Sequence, residues 1–142
     1  MITYVDTSVV LKLLIDDEDG VDAAERLWIE SSYVVCAEIG YAEARAALAS
    51  AHRSGRLDDA ALRTAKTQLD DLWEQIDVVP VTADLVRAAG DLAEAERLRG
   101  YDAVHLAAAI AARVTIVATA DTQLLEAARR RRFDVSNPLE RA

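Results

Sequence analysis

Short β-branched segments that end in hydroxyl and carboxylate side chains constrain this chain more than any other feature. Residues 2–5 are followed by Asp6-Thr7-Ser8, and residues 114–117 are followed, after Ala118, by Thr119-Ala120-Asp121. Runs of Val, Ile and Thr are typical of strands, and the polar residues after them are typical of helix starts. In an open parallel sheet, ligands bind outside the carboxyl ends of the strands. If both segments are strands of one sheet, Asp6 and Asp121 lie near each other at that edge.

The same alternation runs through the whole chain. The predicted strands cover residues 2–5, 33–36, 77–81, 114–117 and 133–135. Apolar spacing predicts helices over about residues 7–14, 21–31, 37–54, 57–76, 82–98, 101–112 and 121–131. Strands that alternate with helices indicate a three-layer α/β/α fold with a mainly parallel central sheet. We find no linker or repeat, so we expect a single domain over residues 1–142.

Composition narrows the class of protein. The chain is 52% hydrophobic but only 5% aromatic, so Ala, Val and Leu must form most of the core. Cys36 is the single cysteine, and we expect it to be a small buried hydrophobe in a reducing, cytoplasmic protein. No apolar stretch approaches the roughly 20 residues of a membrane span. No early basic segment is followed by a long apolar run, so we expect no signal peptide.

The charge is negative overall and unevenly distributed. A formal net charge of −9 argues against a protein that coats nucleic acid through bulk positive charge. It is compatible with a nuclease whose acidic site holds divalent cations, because the bound ions make the local electrostatic potential positive. The acidic run at residues 16–19 and the basic run at residues 129–132 are each expected to be solvated.

Three aspartates lie at predicted helix starts, where each can be either a helix cap or a metal ligand. Asp6 and Asp121 follow strands, whereas Asp102 begins the most apolar helix of the chain. A buried carboxylate there needs partners or a cation. Glu43 is a fourth candidate, in an alanine-rich helix. Glu38 competes with it, but five residues place the two about 140° apart around the helix, so both cannot easily face one site.

These residues carry a family resemblance. The motifs Asp6-Thr7-Ser8, Tyr41-Ala42-Glu43, Asp102-Ala103-Val104-His105-Leu106-Ala107 and Thr119-Ala120-Asp121 occur in this order. Together they resemble the signature of PIN-domain ribonucleases, and among these the VapC toxins of bacterial toxin–antitoxin pairs. The resemblance covers nearly the whole chain.

The resemblance implies a Mg²⁺- or Mn²⁺-dependent endoribonuclease. It implies that Asp6, Glu43, Asp102 and Asp121 form an acidic metal-binding and catalytic quartet. The hydroxyls of Thr7 and Thr119 would support metal, water or phosphate. Mg²⁺ prefers oxygen ligands and keeps several waters, so few direct carboxylates suffice. Asp6 and Asp102 are the strongest candidates for direct ligands, Glu43 follows, and Asp121 is the weakest.

In-line hydrolysis would leave a 5′-phosphate and a 3′-hydroxyl. The resemblance also implies a homodimer and a cognate VapB-type antitoxin, whose basic arm would be attracted to the acidic pocket. Arg129 to Arg132 either guide RNA by phosphate contacts or complement a helix dipole. Arg45 and Arg99 are further candidates for substrate contacts.

The histidines do not indicate a histidine-driven ribonuclease. His105 lies three residues after Asp102 and is expected to be a hydrogen-bonded packing residue, although it could orient Asp102 or touch substrate. His52 is expected to be exposed. Two other classes stay open: an α/β phosphatase with Asp6 as nucleophile, which lacks a convincing lysine partner, and a non-catalytic module in which the aspartates are only caps.

Overall fold

A five-stranded, fully parallel sheet forms the centre of the molecule. The computed structural model describes residues 1–15 and 19–140, so most of the acidic run at 16–19 lies outside the described residues. The strands are β1 (Ile2–Val5), β2 (Tyr33–Ala37), β3 (Asp77–Val79), β4 (Ile116–Ala118) and β5 (Asp134–Ser136). Their order is β3-β2-β1-β4-β5, and each neighbouring pair is parallel.

Seven helices connect and cover the strands within the described residues. They are α1 (Thr7–Leu14), α2 (Val21–Glu30), α3 (Ile39–Arg53), α4 (Asp59–Glu74), α5 (Ala83–Glu96), α6 (Gly100–Ala112) and α7 (Thr122–Arg130). Over residues 1–15 and 19–140, none of them is both long and apolar enough to cross a membrane.

The side-chain alternation of the strands sorts the helices into two layers. Tyr4 and Val117 point into a core formed with α5, α6 and α7. Val5 and Ala118, the residues that follow them, point into a core formed with α1 to α4. Successive residues of a strand face opposite sides of a sheet. The predicted three-layer α/β/α arrangement with a parallel sheet is therefore confirmed.

Strand pairing moves several element boundaries from their predicted positions. Ala37 extends β2 because it pairs with Val79 of β3, so α3 begins at Ile39 and not at residue 37. β3 ends at Val79, before Pro80, which cannot donate to a ladder. β4 and β5 lie one or two residues later than predicted, because the bounds of β4 follow its register with β1 and those of β5 follow its register with β4.

Gly40 allows α3 to approach the sheet closely. A Cβ at this position would lie 2.6 Å from the Cys36 sulfur and 3.3 Å from the Trp73 ring. Cys36 is fully buried, as the sequence predicts. This contact sets the height of the first turns of α3 above β2, and α3 carries Glu43.

Candidate active site

The pairing of β1 with β4 brings two polar segments together at the carboxyl edge of the sheet. Val5 pairs with Ala118, and the Asp6 backbone N–H donates to the Ala118 carbonyl at 3.3 Å. The next side chains, those of Asp6 and Thr119, are therefore adjacent. The Thr119 hydroxyl donates to Asp6 Oδ2 at 2.5 Å, and both residues are buried.

Hydroxyl groups lock the two strand-to-helix turns to each other. Ser8 Oγ donates to Asp6 Oδ1 at 2.5 Å and accepts from the Ala120 N–H at 2.9 Å. Thr119 Oγ1 also accepts from the Asp121 N–H at 2.9 Å. Asp6 additionally caps α1, with Oδ1 3.4 Å from the Val9 nitrogen. Asp6 is thus both a helix cap and a carboxylate held in one orientation by several donors.

Glu43 reaches the same region from α3. Its Oε1 accepts from the Thr7 hydroxyl at 2.9 Å and lies 2.6 Å from His105 Nε2. Partial burial raises the pKa of the Glu43 carboxyl, but the bonds from His105 and Thr7 outweigh it, so the pKa is lowered overall. Glu38 lies elsewhere: it is exposed, and its carboxylate accepts from the Val81 N–H. Tertiary structure therefore selects Glu43 over Glu38.

His105 is a buried link between the sheet and Glu43. Its Nδ1 lies 2.5 Å from the Tyr4 hydroxyl, which also accepts from the Ala37 N–H at 3.0 Å. Because the tyrosine oxygen already accepts one bond, its proton is available to Nδ1, and Nε2–H is available to Glu43. The side chain is 2% exposed. The prediction of a hydrogen-bonded packing histidine is confirmed, but the carboxylate that it orients is Glu43, not Asp102.

Asp102 and Asp121 form the other half of the site. Asp102 is the third residue of α6 and is not its cap, since Arg99 occupies the N-cap position. Asp121 does cap α7: its Oδ1 accepts from the Gln123 and Leu124 N–H groups at 2.9 and 3.1 Å. The cap reading therefore holds for Asp6 and Asp121 but not for Asp102.

A guanidinium group bridges these two aspartates. Arg99 Nε donates to Asp102 Oδ2 at 3.1 Å, and Arg99 Nη2 donates to Asp121 Oδ2 at 3.0 Å. The Asp102 side chain is only 6% exposed and that of Asp121 is 24% exposed, whereas that of Arg99 is 59% exposed. Arg99 therefore covers the two carboxylates from the solvent side.

Burial opposes the negative charges of the site. It raises the pKa of the Asp6 carboxyl, although His105, Ser8 and Thr119 act in the opposite direction. Burial and the charge of Asp121 raise the pKa of the Asp102 carboxyl, against the effect of Arg99. Ionised carboxylates in such positions favour a nearby positive charge. The site is electrostatically suited to a cation.

The donor chemistry fits a hard divalent cation. All the candidate ligands are carboxylate or hydroxyl oxygens, which Mg²⁺ prefers over nitrogen and sulfur. Within residues 1–15 and 19–140, no three His, Cys, Asp or Glu side chains are already gathered in metal-ligand geometry. This arrangement suits an ion that keeps most of its waters and takes one or two direct carboxylates. Asp6, Glu43, Asp102 and Asp121 are the residues that would hold it.

The basic run is distant from this edge. α7 starts at the site and has nine residues, so its last turn lies about 13 Å farther along the helix. Arg129 pairs with Glu126, while Arg130 and Arg131 both pair with Glu96. These contacts fit a solvated helix end better than a surface beside the acidic edge.

Arg45 and His52 also have intramolecular partners. Arg45 donates to the Tyr41 hydroxyl at 3.0 Å. His52 bonds to Asp59, and its side chain is 36% exposed, in line with the expected surface position. Of the arginines that the sequence proposes for substrate contact, Arg99 is the one that contacts the acidic quartet.

Sequence reasoning missed two residues of the site. Ser8 lies within the Asp6-Thr7-Ser8 motif, but no local pattern predicts its bonds to Asp6 and to the turn after β4. The sequence predicts Tyr4 only as a strand residue. The signal for Tyr4 was a hydroxyl in a strand that otherwise reads as fully buried, since a buried Tyr hydroxyl usually has a hydrogen-bond partner.

Comparison with known proteins identifies the family. A sequence model described as the PIN domain matches residues 3–130. The chain is also 40% identical over 110 residues to Ribonuclease VapC45 and Ribonuclease VapC49 from two Mycobacterium tuberculosis strains, CDC 1551 / Oshkosh and ATCC 25618 / H37Rv. These matches cover 78% of this chain and 76% of each relative. The chain therefore belongs to the PIN-domain family and, within it, to the VapC group.

Solved structures show the same fold. Mycobacterium tuberculosis VapC20, described as a sarcin-ricin loop cleaving toxin, superposes with a TM-score of 0.69 at 22% identity, covering 88% of this chain and 94% of that one. FitAcB from Neisseria gonorrhoeae gives a TM-score of 0.71 at 22% identity, covering 99% and 100%. A toxin–antitoxin complex from Klebsiella pneumoniae gives 0.70 at 16% identity, covering 98% and 99%.

Proposed function

We propose that this protein is a Mg²⁺-dependent endoribonuclease, able to use Mn²⁺, that acts as the toxin of a toxin–antitoxin pair. One observation carries the proposal. Asp6, Glu43, Asp102 and Asp121 come from four separate segments, and the fold directs them to linked positions at the carboxyl edge of the sheet. Thr7, Thr119 and Arg99 link these carboxylates by hydrogen bonds, and a cation would stabilise partly buried negative charges held in this way.

The names of the relatives support this reaction class. Two relatives at 40% identity are called ribonucleases, and a protein of the same fold is described as a toxin that cleaves the sarcin-ricin loop. We infer that RNA is also the substrate of this chain. Exposed loops and surface shape determine which RNA is recognised, and both vary between members of one fold.

Four residues orient two of the carboxylates for hydrolysis. Thr119 and Ser8 hold the Asp6 carboxylate in one orientation, and His105 with Thr7 holds that of Glu43. When bound, a divalent cation lowers the pKa of a coordinated water and neutralises charge on the phosphoryl group. The expected products carry a 5′-phosphate and a 3′-hydroxyl.

Inhibition by an antitoxin follows from the same electrostatics. The acidic edge attracts a basic segment, and complementary charge favours rapid and specific association. One structure with this fold is described as a toxin–antitoxin complex, and another as VapBC2 bound to a DNA fragment from their promoter. We therefore propose a VapB-type antitoxin that covers the acidic site, and a toxin homodimer. We propose a cytoplasmic location, because the RNA substrate and a newly made antitoxin are both found there.

The reaction is tested by incubating the purified chain with total RNA and Mg²⁺. We expect cleavage that stops with EDTA and with Asp6→Asn. Glu43→Gln is expected to lower the rate at least about 100-fold, because it removes a carboxylate of the quartet. Its matched control is Glu38→Gln, which lies five residues away, outside the site, and should cleave normally. Cleavage that persists in both EDTA and Asp6→Asn would overturn the mechanism.

The partners are tested separately. Co-expression with the product of the neighbouring gene should restore growth of cells that produce the wild-type chain, and the complex should not cleave RNA. Sedimentation equilibrium of the chain alone should give twice the mass of 15.4 kDa. A monomeric chain that cleaves RNA would disprove the homodimer and leave the ribonuclease assignment intact.

The phosphatase alternative gains no support from the structure. Both carboxylate oxygens of Asp6 accept hydrogen bonds, from Ser8 and Val9 on one side and Thr119 on the other. No contact within the described residues favours this reading over metal-dependent hydrolysis.

A further inference from the structure

Arg99 occupies the position of a cation between two acidic residues of the site. Its fork contacts Asp102 at 3.1 Å and Asp121 at 3.0 Å. Arg99 is the N-cap residue of α6, and its guanidinium, which has no acceptor, cannot cap the N–H groups of that helix. The guanidinium also lies 4.9 Å from the centre of the Tyr101 ring. The side chain is therefore committed to the carboxylates and the exposed ring, not to the helix that it begins.

The bridge compensates a repulsion built into the site. The charge of Asp121 makes ionisation of Asp102 less favourable, and Arg99 offsets that effect. A divalent cation at the same carboxylates would supply the same compensation more strongly. Asp121 Oδ1 caps α7, so Oδ2, which accepts from Arg99, is the oxygen left for an ion or its waters. A cation at Asp102 and Asp121 would therefore compete with the guanidinium for Asp121 Oδ2.

An Arg99 guanidinium that a cation displaced from Asp102 and Asp121 would be free to bind another anion. A guanidinium presents paired donors that match phosphate oxygens, keeps its charge at all relevant pH values and stacks on aromatic rings. Arg99 is more than half exposed, and it stands at the mouth of the acidic edge beside Tyr101, which is 46% exposed. A phosphate arriving at the site would meet this side chain first.

We propose that Arg99 is an exchangeable latch: it bridges Asp102 and Asp121 in the metal-free protein, and it transfers to an RNA phosphate when a divalent cation takes its place. This inference rests on the proposed ribonuclease function and adds a substrate-positioning residue to it. Without a cation, the bridge reduces the repulsion between the Asp102 and Asp121 carboxylates. Its displacement couples cation binding to RNA binding. Each of the two ligands then strengthens the binding of the other, because the coupling is reciprocal.

The test measures the affinity for Mn²⁺ and the affinity for RNA, which loss of Arg99 should change in opposite directions. Without RNA, calorimetric titration of the full-length chain with Mn²⁺ should show about tenfold tighter binding for Arg99→Gln, since no charge-assisted hydrogen bonds remain to be displaced. With Mn²⁺ at saturation for each variant, Arg99→Gln should raise the KM for RNA about tenfold, with a smaller change in kcat. Arg99→Lys keeps the charge but not the fork, so it should recover part of the RNA affinity and still bind Mn²⁺ more tightly than the wild type.

The control removes the same charge nearby. Among the described residues, Arg97 pairs with none of the four acidic side chains. Arg97→Gln therefore reports the general effect of losing one positive charge, which salt screens. A change in Mn²⁺ affinity that is equal in both variants, or absent in Arg99→Gln, would overturn the latch. A wild-type chain that binds Mn²⁺ but cleaves no RNA would overturn the proposed function instead, and the Mn²⁺ titration would still decide whether Arg99 blocks the cation site.

Discussion

His105 Nε2 lies 2.6 Å from Glu43 Oε1, although 62 residues separate them in the chain. The contact joins α6 to α3 across the top of the sheet, and Tyr4 supports the opposite ring nitrogen at 2.5 Å. This buried series of bonds is what aims Glu43 at the site. A carboxylate on a helix face close to solvent would otherwise have several rotamers available.

Tyr4→Phe tests this series without altering any acidic residue. The buried Ala37 N–H loses its acceptor and His105 Nδ1 loses its donor, so the free energy of unfolding should fall by about 1–3 kcal/mol. RNA cleavage should also slow, because Glu43 is aimed less well. Urea denaturation and initial rates measure the two effects. Tyr33→Phe, at a residue 61% exposed, is the control and should change neither.

The tautomer of His105 gives an independent readout. Nitrogen NMR of the wild type should show a protonated Nε2 and an unprotonated Nδ1, as the bonds from Tyr4 and to Glu43 require. Loss of this pattern in Tyr4→Phe would accompany the loss of activity. A wild-type ring protonated only at Nδ1 would contradict the hydrogen-bond assignment.

Asp102→Asn should stabilise the metal-free protein, and increasingly so as the pH rises. The folded-state pKa of Asp102 is raised, first by burial and then by Asp121. The folded state therefore holds the proton more tightly than the unfolded state, whose Asp pKa is about 3.9. The stabilisation of the wild type that this proton contributes is complete below the unfolded-state pKa, and it is lost as the pH rises through the folded-state pKa.

The measurement is thermal unfolding in EDTA at a series of pH values from about 4 upward, where the unfolded Asp begins to ionise. The difference in unfolding free energy between Asp102→Asn and wild type should grow with pH and then level off. Asp22→Asn, at an exposed residue of α2, controls for loss of one negative charge. A difference that shrinks with pH would show that Arg99 outweighs burial.

Gly40→Ala should destabilise the protein by crowding α3 against the sheet. The added Cβ would lie 2.6 Å from the Cys36 sulfur, and overpacking of this kind costs about 1–3 kcal/mol. Gly90→Ala is the matched control in α5, where a Cβ meets nothing within 4 Å; it should be neutral or stabilising by up to about 1 kcal/mol. Chemical denaturation measures both.

A second substitution locates the cause. Cys36→Ala removes the sulfur that the new Cβ would meet, so the double variant Gly40→Ala/Cys36→Ala should be more stable than the sum of the single changes predicts. Strict additivity would mean that the Trp73 contact, at 3.3 Å, determines the cost.

Thr119→Val should weaken cation binding while keeping the shape of the side chain. The change removes the donor to Asp6 Oδ2 and the acceptor of the Asp121 N–H. The buried Asp6 carboxylate and the partly buried Asp121 N–H each lose a partner, which should cost up to about 1–3 kcal/mol for each in stability. Calorimetry with Mn²⁺ and thermal unfolding check both effects. Thr119→Ser retains the hydroxyl and should restore the affinity, whereas Thr122→Val, at an exposed residue, should leave it unchanged.

The sequence alone determined the local features of this protein. The β-branched runs and the apolar spacing predicted the strands and helices, and the helix caps formed by Asp6 and Asp121 were among the alternatives that their positions after strands offered. These features depend on residues within a few positions of each other, so one segment contains the whole signal. The four acidic candidates were also accessible, because each lies in a short motif with a fixed order along the chain.

Tertiary structure decided which of those residues meet. The strand order β3-β2-β1-β4-β5 brings Thr119 to Asp6, and the contact of Gly40 with Cys36 fixes the helix that carries Glu43. The pairing of His105 with Glu43 and the bridge from Arg99 to Asp121 likewise span long sequence separations. Such contacts depend on packing and strand register between distant segments, so no local pattern encodes them. The sequence motifs predicted the carboxylates, and the tertiary structure determined their hydrogen-bond partners.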